Sequence, residues 1–258
     1  MPNMDDFTGG VVKKELHVFY VLDTSGSMTG APIAALNDAM RDTVQELASI
    51  SRSSADAVLK IAVMEYNDDC KWVTLGENGL EYVEDFIWND LQPRGMTNLG
   101  NALRELNAQL SRNAMMKSHT GNKIPVIIFM SDGYPNDNIW EQELSTLSGN
   151  KWFQSSIKIA FALGDGADEN VLEKVVGDSK AVIKTSNLEK FKSMIRIVSA
   201  TASLAASTSR TSNANVTGGD IISRIESDGD DDPWGDIYSS QDPADFGDID
   251  FGNMDDFD

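Results

Sequence analysis

Short apolar runs alternate along the chain with stretches whose apolar positions recur every three or four residues. His17-Val-Phe-Tyr-Val-Leu22, Pro125–Met130 and Ile157–Leu163 are the clearest runs, and each stops abruptly, at Asp23, at Ser131-Asp132-Gly133 and at Gly164-Asp-Gly166. Uniformly apolar runs of this length read as strands buried on both faces. Between them, Ile33, Leu36, Met40, Val44 and Leu47 fall on one helical face behind Pro32, which suits a first turn. Leu99, Leu103, Leu106 and Leu110 mark a second helix, and Leu188, Phe191, Ile195, Val198 and Ala202 a closing one. Val58–Tyr66 and Cys70–Leu75 read as a hairpin around Asn67-Asp68-Asp69, and Ala181–Lys184 as a short last strand. The alternation predicts an α/β fold: a doubly wound, mostly parallel, Rossmann-like sheet with helices on both faces and one antiparallel edge strand.

That topology predicts a site before any motif is considered. In such sheets ligands bind beyond the carboxyl ends of the strands. Asp23 and Asp132 both stand at such ends, so two acids far apart in sequence are expected on one edge. In Asp23-Thr-Ser-Gly-Ser27, the hydroxyls of Ser25 and Ser27 alternate around a glycine that lets the backbone bend. Hard oxygen donors in this density suit magnesium, with manganese as the alternative, better than calcium. Read without a metal, the same residues are a strand–turn–helix with a serine-rich cap.

Charge divides the 258 residues. Residues 213–258 hold fourteen acids against one base, Arg224, and so carry thirteen of the twenty net negative charges. This Gly- and Pro-containing segment is expected to stay disordered. The expected organisation is a flexible segment over 1–14, a domain over 15–205 and an acidic tail over 206–258. A net charge of −20 argues against nucleic acid and anionic membranes as partners. One cysteine, Cys70, rules out an internal disulfide and fits a reducing, cytoplasmic setting. The acidic, polar start does not read as a signal peptide, and the apolar stretch around 194–206 is too short and polar to span a bilayer.

The stretch Phe19-Tyr-Val-Leu-Asp-Thr-Ser-Gly-Ser-Met28 resembles the first metal-ion-dependent adhesion site motif of the von Willebrand factor A family. Arg94-Gly-Met-Thr-Asn-Leu-Gly100 resembles the second, with Thr97 in the place of its metal-binding threonine, and Met130-Ser-Asp-Gly133 the third, with Asp132 as its acid. Gly164-Asp-Gly-Ala-Asp168 is similar to a loop common in bacterial members. The resemblance covers roughly residues 15–204. It implies an ion held by Ser25, Ser27 and Thr97 directly, with Asp23 and Asp132 acting mainly through water, and one coordination position open for an Asp or Glu of a protein partner. The opening Asp23–Pro32 is similar to that of short intracellular bacterial members of the tellurite-resistance (TerY) type. Those are associated with a kinase and a phosphatase in stress signalling, which implies such partners here.

A binding protein rather than an enzyme is therefore expected. The competing expectation is a magnesium-dependent phosphohydrolase. It is disfavoured because Ser25 stands where a second acid would act as general acid, and because no G-x-x-x-x-G-K-[ST] loop is present. His17 and His119 lie away from any nucleophile motif. A further alternative makes the acidic tail the binding element and the metal merely structural. Asn-Met-Asp-Asp-Phe occurs at both 3–7 and 253–257, and a tail carboxylate entering the metal site of its own or a neighbouring chain would give autoinhibition or self-association. Tyr134–Asn138, following the third motif, is expected to line the rim.

Overall fold

The computed structural model describes residues 12–55, 57–76, 79–164, 166–207 and 216–228. Both copies of the repeated pentapeptide, the acidic segment beyond residue 228 and Asp165 lie outside the described residues.

Seven strands form one sheet: β1 (Lys14–Asp23), β2 (Ala57–Tyr66), β3 (Cys70–Trp72), β4 (Glu81–Tyr82), β5 (Val126–Ser131), β6 (Ile157–Leu163) and β7 (Val182–Thr185). The order is β3-β2-β1-β5-β6-β7, with β4 also on β2. All pairings are parallel except those of β3 and β4 with β2. The helices are α1 (Ala31–Ser53), α2 (Leu99–Gln109), α3 (Trp140–Leu147), α4 (Lys151–Ser155), α5 (Glu169–Val176), α6 (Leu188–Ser207) and α7 (Gly218–Asp228). The expected doubly wound architecture is the observed one.

The period of two along β1 sorts its side chains into two cores. Leu16, Val18, Tyr20 and Leu22 join α1 and α6 on one face, while Phe19 and Val21 join α2, α3 and α5 on the other. With both faces covered, β1 is buried from Leu16 to its end, and so Asp23 is carried to the sheet edge inside a wall of protein.

Two parts of the outline differ from expectation. The antiparallel edge is split. The Thr74 hydroxyl accepts from the Val63 amide (3.2 Å) and donates to Gly79 O (2.6 Å), so a side chain interrupts the ladder after Trp72, and pairing resumes in β4. The domain also extends past residue 205, because α7 falls within the segment expected as tail. Ile221, Ile222 and Ile225 are buried on one side of it. A Cβ on Gly218 or Gly219 would collide with the Lys158 carbonyl or the Asp178 carboxylate, so the helix start packs closely on β6 and the turn before β7. Thr217 and Asp220 cap it reciprocally: the Thr217 amide donates to Asp220 Oδ2 (2.8 Å) and the Asp220 amide to Thr217 Oγ1 (3.2 Å). No helix among the described residues is long and apolar enough to cross a membrane.

Candidate metal centre

The carboxyl ends of β1, β2 and β5 lie side by side at one edge, where the loops after β1 and β5 meet the loop that enters α2. Asp23, in register with Tyr66, is fully buried. Its Oδ1 accepts from the Ser25 amide (2.8 Å), which turns the chain tightly out of β1. Its Oδ2 accepts from Ser131 Oγ (2.6 Å) across the sheet. Beyond this turn the Ser25 and Ser27 hydroxyls lie 3.0 Å apart, and Ser27 Oγ donates to Asp132 Oδ1 at 2.8 Å.

The second loop is zipped onto the first. The Arg94 amide donates to Thr24 O (2.8 Å) and the Gly26 amide to Gly95 O (2.9 Å). Asn67 Nδ2 reaches Thr24 Oγ1 (3.0 Å), and the Asn98 amide bonds to Asn67 O (3.0 Å), so the end of β2 holds both loops. Gly95 has φ +67°, and the adjacent Met96 amide donates to Asp68 Oδ1 (2.9 Å). That left-handed residue aims the chain into Thr97. Thr97 is buried and tied to the third loop: its amide donates to Asn136 Oδ1 (2.9 Å), and the Asn136 amide donates to Thr97 O (2.9 Å).

All five sequence-expected residues are thus brought to one place. A Cβ on Gly133 would sit 3.7 Å from Ser27 Oγ and 4.0 Å from Thr97 Oγ1, so the missing side chain leaves a cradle bordered by both hydroxyls. Burial pushes the Asp23 carboxyl up, and the nearby Asp132 charge adds to that, against the bonds from Ser131 and Ser25 that favour its charged form. Burial likewise raises Asp132, opposed by the Ser27 bond. Two poorly hydrated acids in one site are what a bound cation would relieve. The donor set is hard oxygen throughout and fits a divalent metal. Among the described residues no group of three or more His, Cys, Asp and Glu could hold a metal.

Sequence reasoning missed the residues behind these donors. Ser131 is a strut for Asp23. Tyr66, its hydroxyl against Ser131 and Asp23, is kept neutral by burial first and by the Asp23 charge second. Its place opposite Asp23 exists only once β1 and β2 are in register, so the sequence carried no signal for it. Asn136 had none beyond lying in the expected rim. Asp168, from the loop similar to bacterial members, caps α5 by accepting from the Asn170 amide (2.9 Å). His17 is buried near the start of β1, bonded to Glu15 and Met116, far from the centre. Met96 (53 % exposed) and Tyr134 (58 %) flank the centre as open apolar surface.

The family model of the von Willebrand factor type A domain matches residues 17–199. Among solved structures the chain is similar to a von Willebrand factor type A protein from Catenulispora acidiphila, with 15 % identity, 74 % of this chain and 43 % of that one covered, and a TM-score of 0.54. It is similar to proximal thread matrix protein 1 from the mussel byssus, solved with a zinc-occupied MIDAS motif (19 % identity, 75 % and 47 % covered, TM-score 0.52). It is also similar to the pilus adhesin SpaC from Lactobacillus rhamnosus GG in its open conformation (11 % identity, 75 % and 30 % covered, TM-score 0.57). At these identities the likeness is one of fold, and the chain spans less than half the length of each of these structures. No curated protein matches the sequence.

Proposed function

Because the chain belongs to the von Willebrand factor type A domain family, we propose that it is a protein-binding module that grips its partner through a divalent cation, magnesium first and manganese second. Domains of this family are known for metal-dependent protein interactions. Ser25, Ser27 and Thr97 would hold the ion, with Asp23 and Asp132 behind them. The observation that carries the reading is the file of oxygens from Ser25 through Ser27 to Asp132, closed over by the side-chain-free face of Gly133.

Bound there, a divalent cation supplies an electrophilic centre that can take a carboxylate oxygen from another protein. The chain's own residues do the rest. Uncharged hydroxyls neutralise little of the ion's charge, so its affinity for an outside carboxylate stays high. Ser131 fixes Asp23, and the Asn136 clamp fixes Thr97, so little ordering is needed when a partner arrives. The centre favours binding over catalysis, since Ser25 follows Asp23 where a phosphohydrolase would need an acid, and both sides of His17 are occupied at the opposite end of β1. A role beside a kinase or phosphatase in bacterial stress or defence signalling, in the cytoplasm, is the finer form of this proposal. It rests on the likeness of Asp23–Pro32 to TerY-type openings and on the single Cys70.

Calorimetric titration with magnesium tests the site, and partner capture in magnesium or EDTA tests its use. We expect magnesium binding that is lost in Asp23→Ala, and a partner held only with metal and intact Asp23. Partner capture indifferent to EDTA and to Asp23→Ala would move the binding function elsewhere on the chain.

A further inference from the structure

The metal reading leaves the repeated Asn-Met-Asp-Asp-Phe of residues 3–7 and 253–257 without a role. Resting on that reading, we infer that the N-terminal copy is a ligand for the metal site of a second copy of this chain, joining molecules head to tail.

Chain geometry selects the second molecule over the first. Lys13 is fixed where the parallel strands begin: its Nζ donates to Ser54 O (2.6 Å), and the next residue, Lys14, pairs with Ala57. The metal centre lies where β1 ends. From Lys13 to Asp23 the chain rises about 33 Å. Asp5, the farther of the two acids, lies eight residues before Lys13, and eight residues fully extended span at most ~26–29 Å. Such a segment would also have to turn round the end of the sheet. Neither Asp5 nor Asp6 can therefore reach the centre of its own molecule, whereas the centre of a neighbour is open to both. The far copy begins 25 residues beyond Asp228 and is long enough to serve either way.

The rim matches this ligand in kind. Met96 directly precedes Thr97, and Tyr134 directly follows Gly133. Both are more than half exposed, and so offer apolar surface on two sides of the donors for Met4 and Phe7. The cleft of about 530 Å³ beside them balances Arg94, Lys71 and Arg104 against Glu65, Asp69 and Glu105. Arg94 is 62 % exposed and meets Glu65 only at 3.7 Å, so it can turn to the second acid of the pair while the first meets the cation. The contact is heterologous, since each molecule gives one ligand and accepts another, so it propagates unless a ring closes.

Sedimentation of the full chain across a concentration series tests this, using two complementary variants. Asp23→Ala, combined with Asp255→Asn, Asp256→Asn and Phe257→Ala, removes the site and keeps the N-terminal ligand alone; Ser27→Ala replaces Asp23→Ala should that protein not fold. Asp5→Asn, Asp6→Asn and Phe7→Ala, combined with Asp255→Asn, Asp256→Asn and Phe257→Ala, remove both ligand copies and keep the site. The wild type is expected to associate in magnesium and return to monomer in EDTA. Each variant alone should associate about tenfold more weakly or less, and an equimolar mixture of the two should restore a mixed dimer that stops at two. A wild type that stays monomeric in magnesium, variants that associate like wild type, or a mixture that does not pair would each overturn the inference. Magnesium calorimetry on the ligand-free variant separates the two failures: heat of binding without a mixed dimer sinks this inference alone, whereas no heat sinks the metal reading with it.

Discussion

Thr97 and Asn136 hold each other by two hydrogen bonds, Thr97 N to Asn136 Oδ1 and Asn136 N to Thr97 O, both 2.9 Å. The second and third loops are thereby one unit, and the hydroxyl of Thr97 is placed by a residue that would offer the proposed ion nothing itself. Supports of this kind are typically worth ten- to a hundredfold in metal affinity. Asn136→Ala removes one of the two bonds and frees the Thr97 amide. We expect magnesium affinity to fall about tenfold with far-ultraviolet circular dichroism unchanged, as read by calorimetry. Unchanged affinity would mean that Thr97 is held by the 94–98 loop alone.

Gly133 tests the cradle directly. Its Cβ would stand in ordinary contact with Ser27 Oγ and Thr97 Oγ1, so Gly133→Ala fits the fold yet occupies the space between the hydroxyls. Magnesium affinity is expected to drop by about tenfold or more, while the unfolding free energy of the metal-free protein moves by no more than the ~0.5 kcal/mol usual for an accommodated substitution. A variant that binds magnesium like wild type would place the ion away from Gly133.

How much of this was legible in the sequence follows from range. The strands that carry Asp23 and Asp132 announce themselves by unbroken apolar runs, and the rule that sites lie beyond strand ends brought the two acids together before any coordinates. Thr97 needed the family resemblance, because nothing local marks a loop threonine as facing a site. Ser131 and Tyr66 were hidden because their role exists only once β1, β2 and β5 are in register. Helix α7 was missed for a different reason. Thr217-Gly-Gly-Asp220 is a capping signal and Ile221, Ile222 and Ile225 an apolar face, but the acids beyond them dominated the composition of the whole segment.

At the interface of β1, α1 and α6, buried hydroxyls such as those of Thr43 and Ser203 have no hydrogen-bond partner among the described residues. A hydroxyl in that position costs desolvation and returns nothing. Valine has the shape of threonine without the hydroxyl. Thr43→Val should therefore stabilise the fold by about 1 kcal/mol, raising Tm by roughly 2–4 °C for a domain of this size. Thermal unfolding by calorimetry reads this, and a lower Tm would show that the hydroxyl is paired in solution.

His17 sets a pH dependence at the end of the sheet opposite the proposed metal centre. The ring is fully buried, with Nε2 3.1 Å from Glu15 Oε2 and Nδ1 3.4 Å from Met116 Sδ. Lys60 Nζ is 3.0 Å from the same Glu15 oxygen. Burial pulls the imidazole below its ordinary value of 6.5, and Lys60 adds to this, while Glu15 pulls the other way without prevailing. The neutral ring donates from Nε2 to Glu15. A second proton would sit on Nδ1, facing only a thioether. In the unfolded chain His17 takes up that proton near its ordinary value, so between the two values the unfolded state binds more protons. The contribution of His17 to stability is therefore complete above about pH 6.5 and is lost as pH falls below it. Glu15, held low by its bonds to His17 and Lys60 in spite of burial, adds its own loss only at more acidic pH. The urea midpoint of the wild type should consequently fall between pH 7 and pH 5.5 more steeply than that of His17→Leu, where the titrating group is gone. The difference between the two curves reads the ring together with its bond to Glu15. Parallel curves would mean that His17 is as easily protonated in the folded protein as in the unfolded chain.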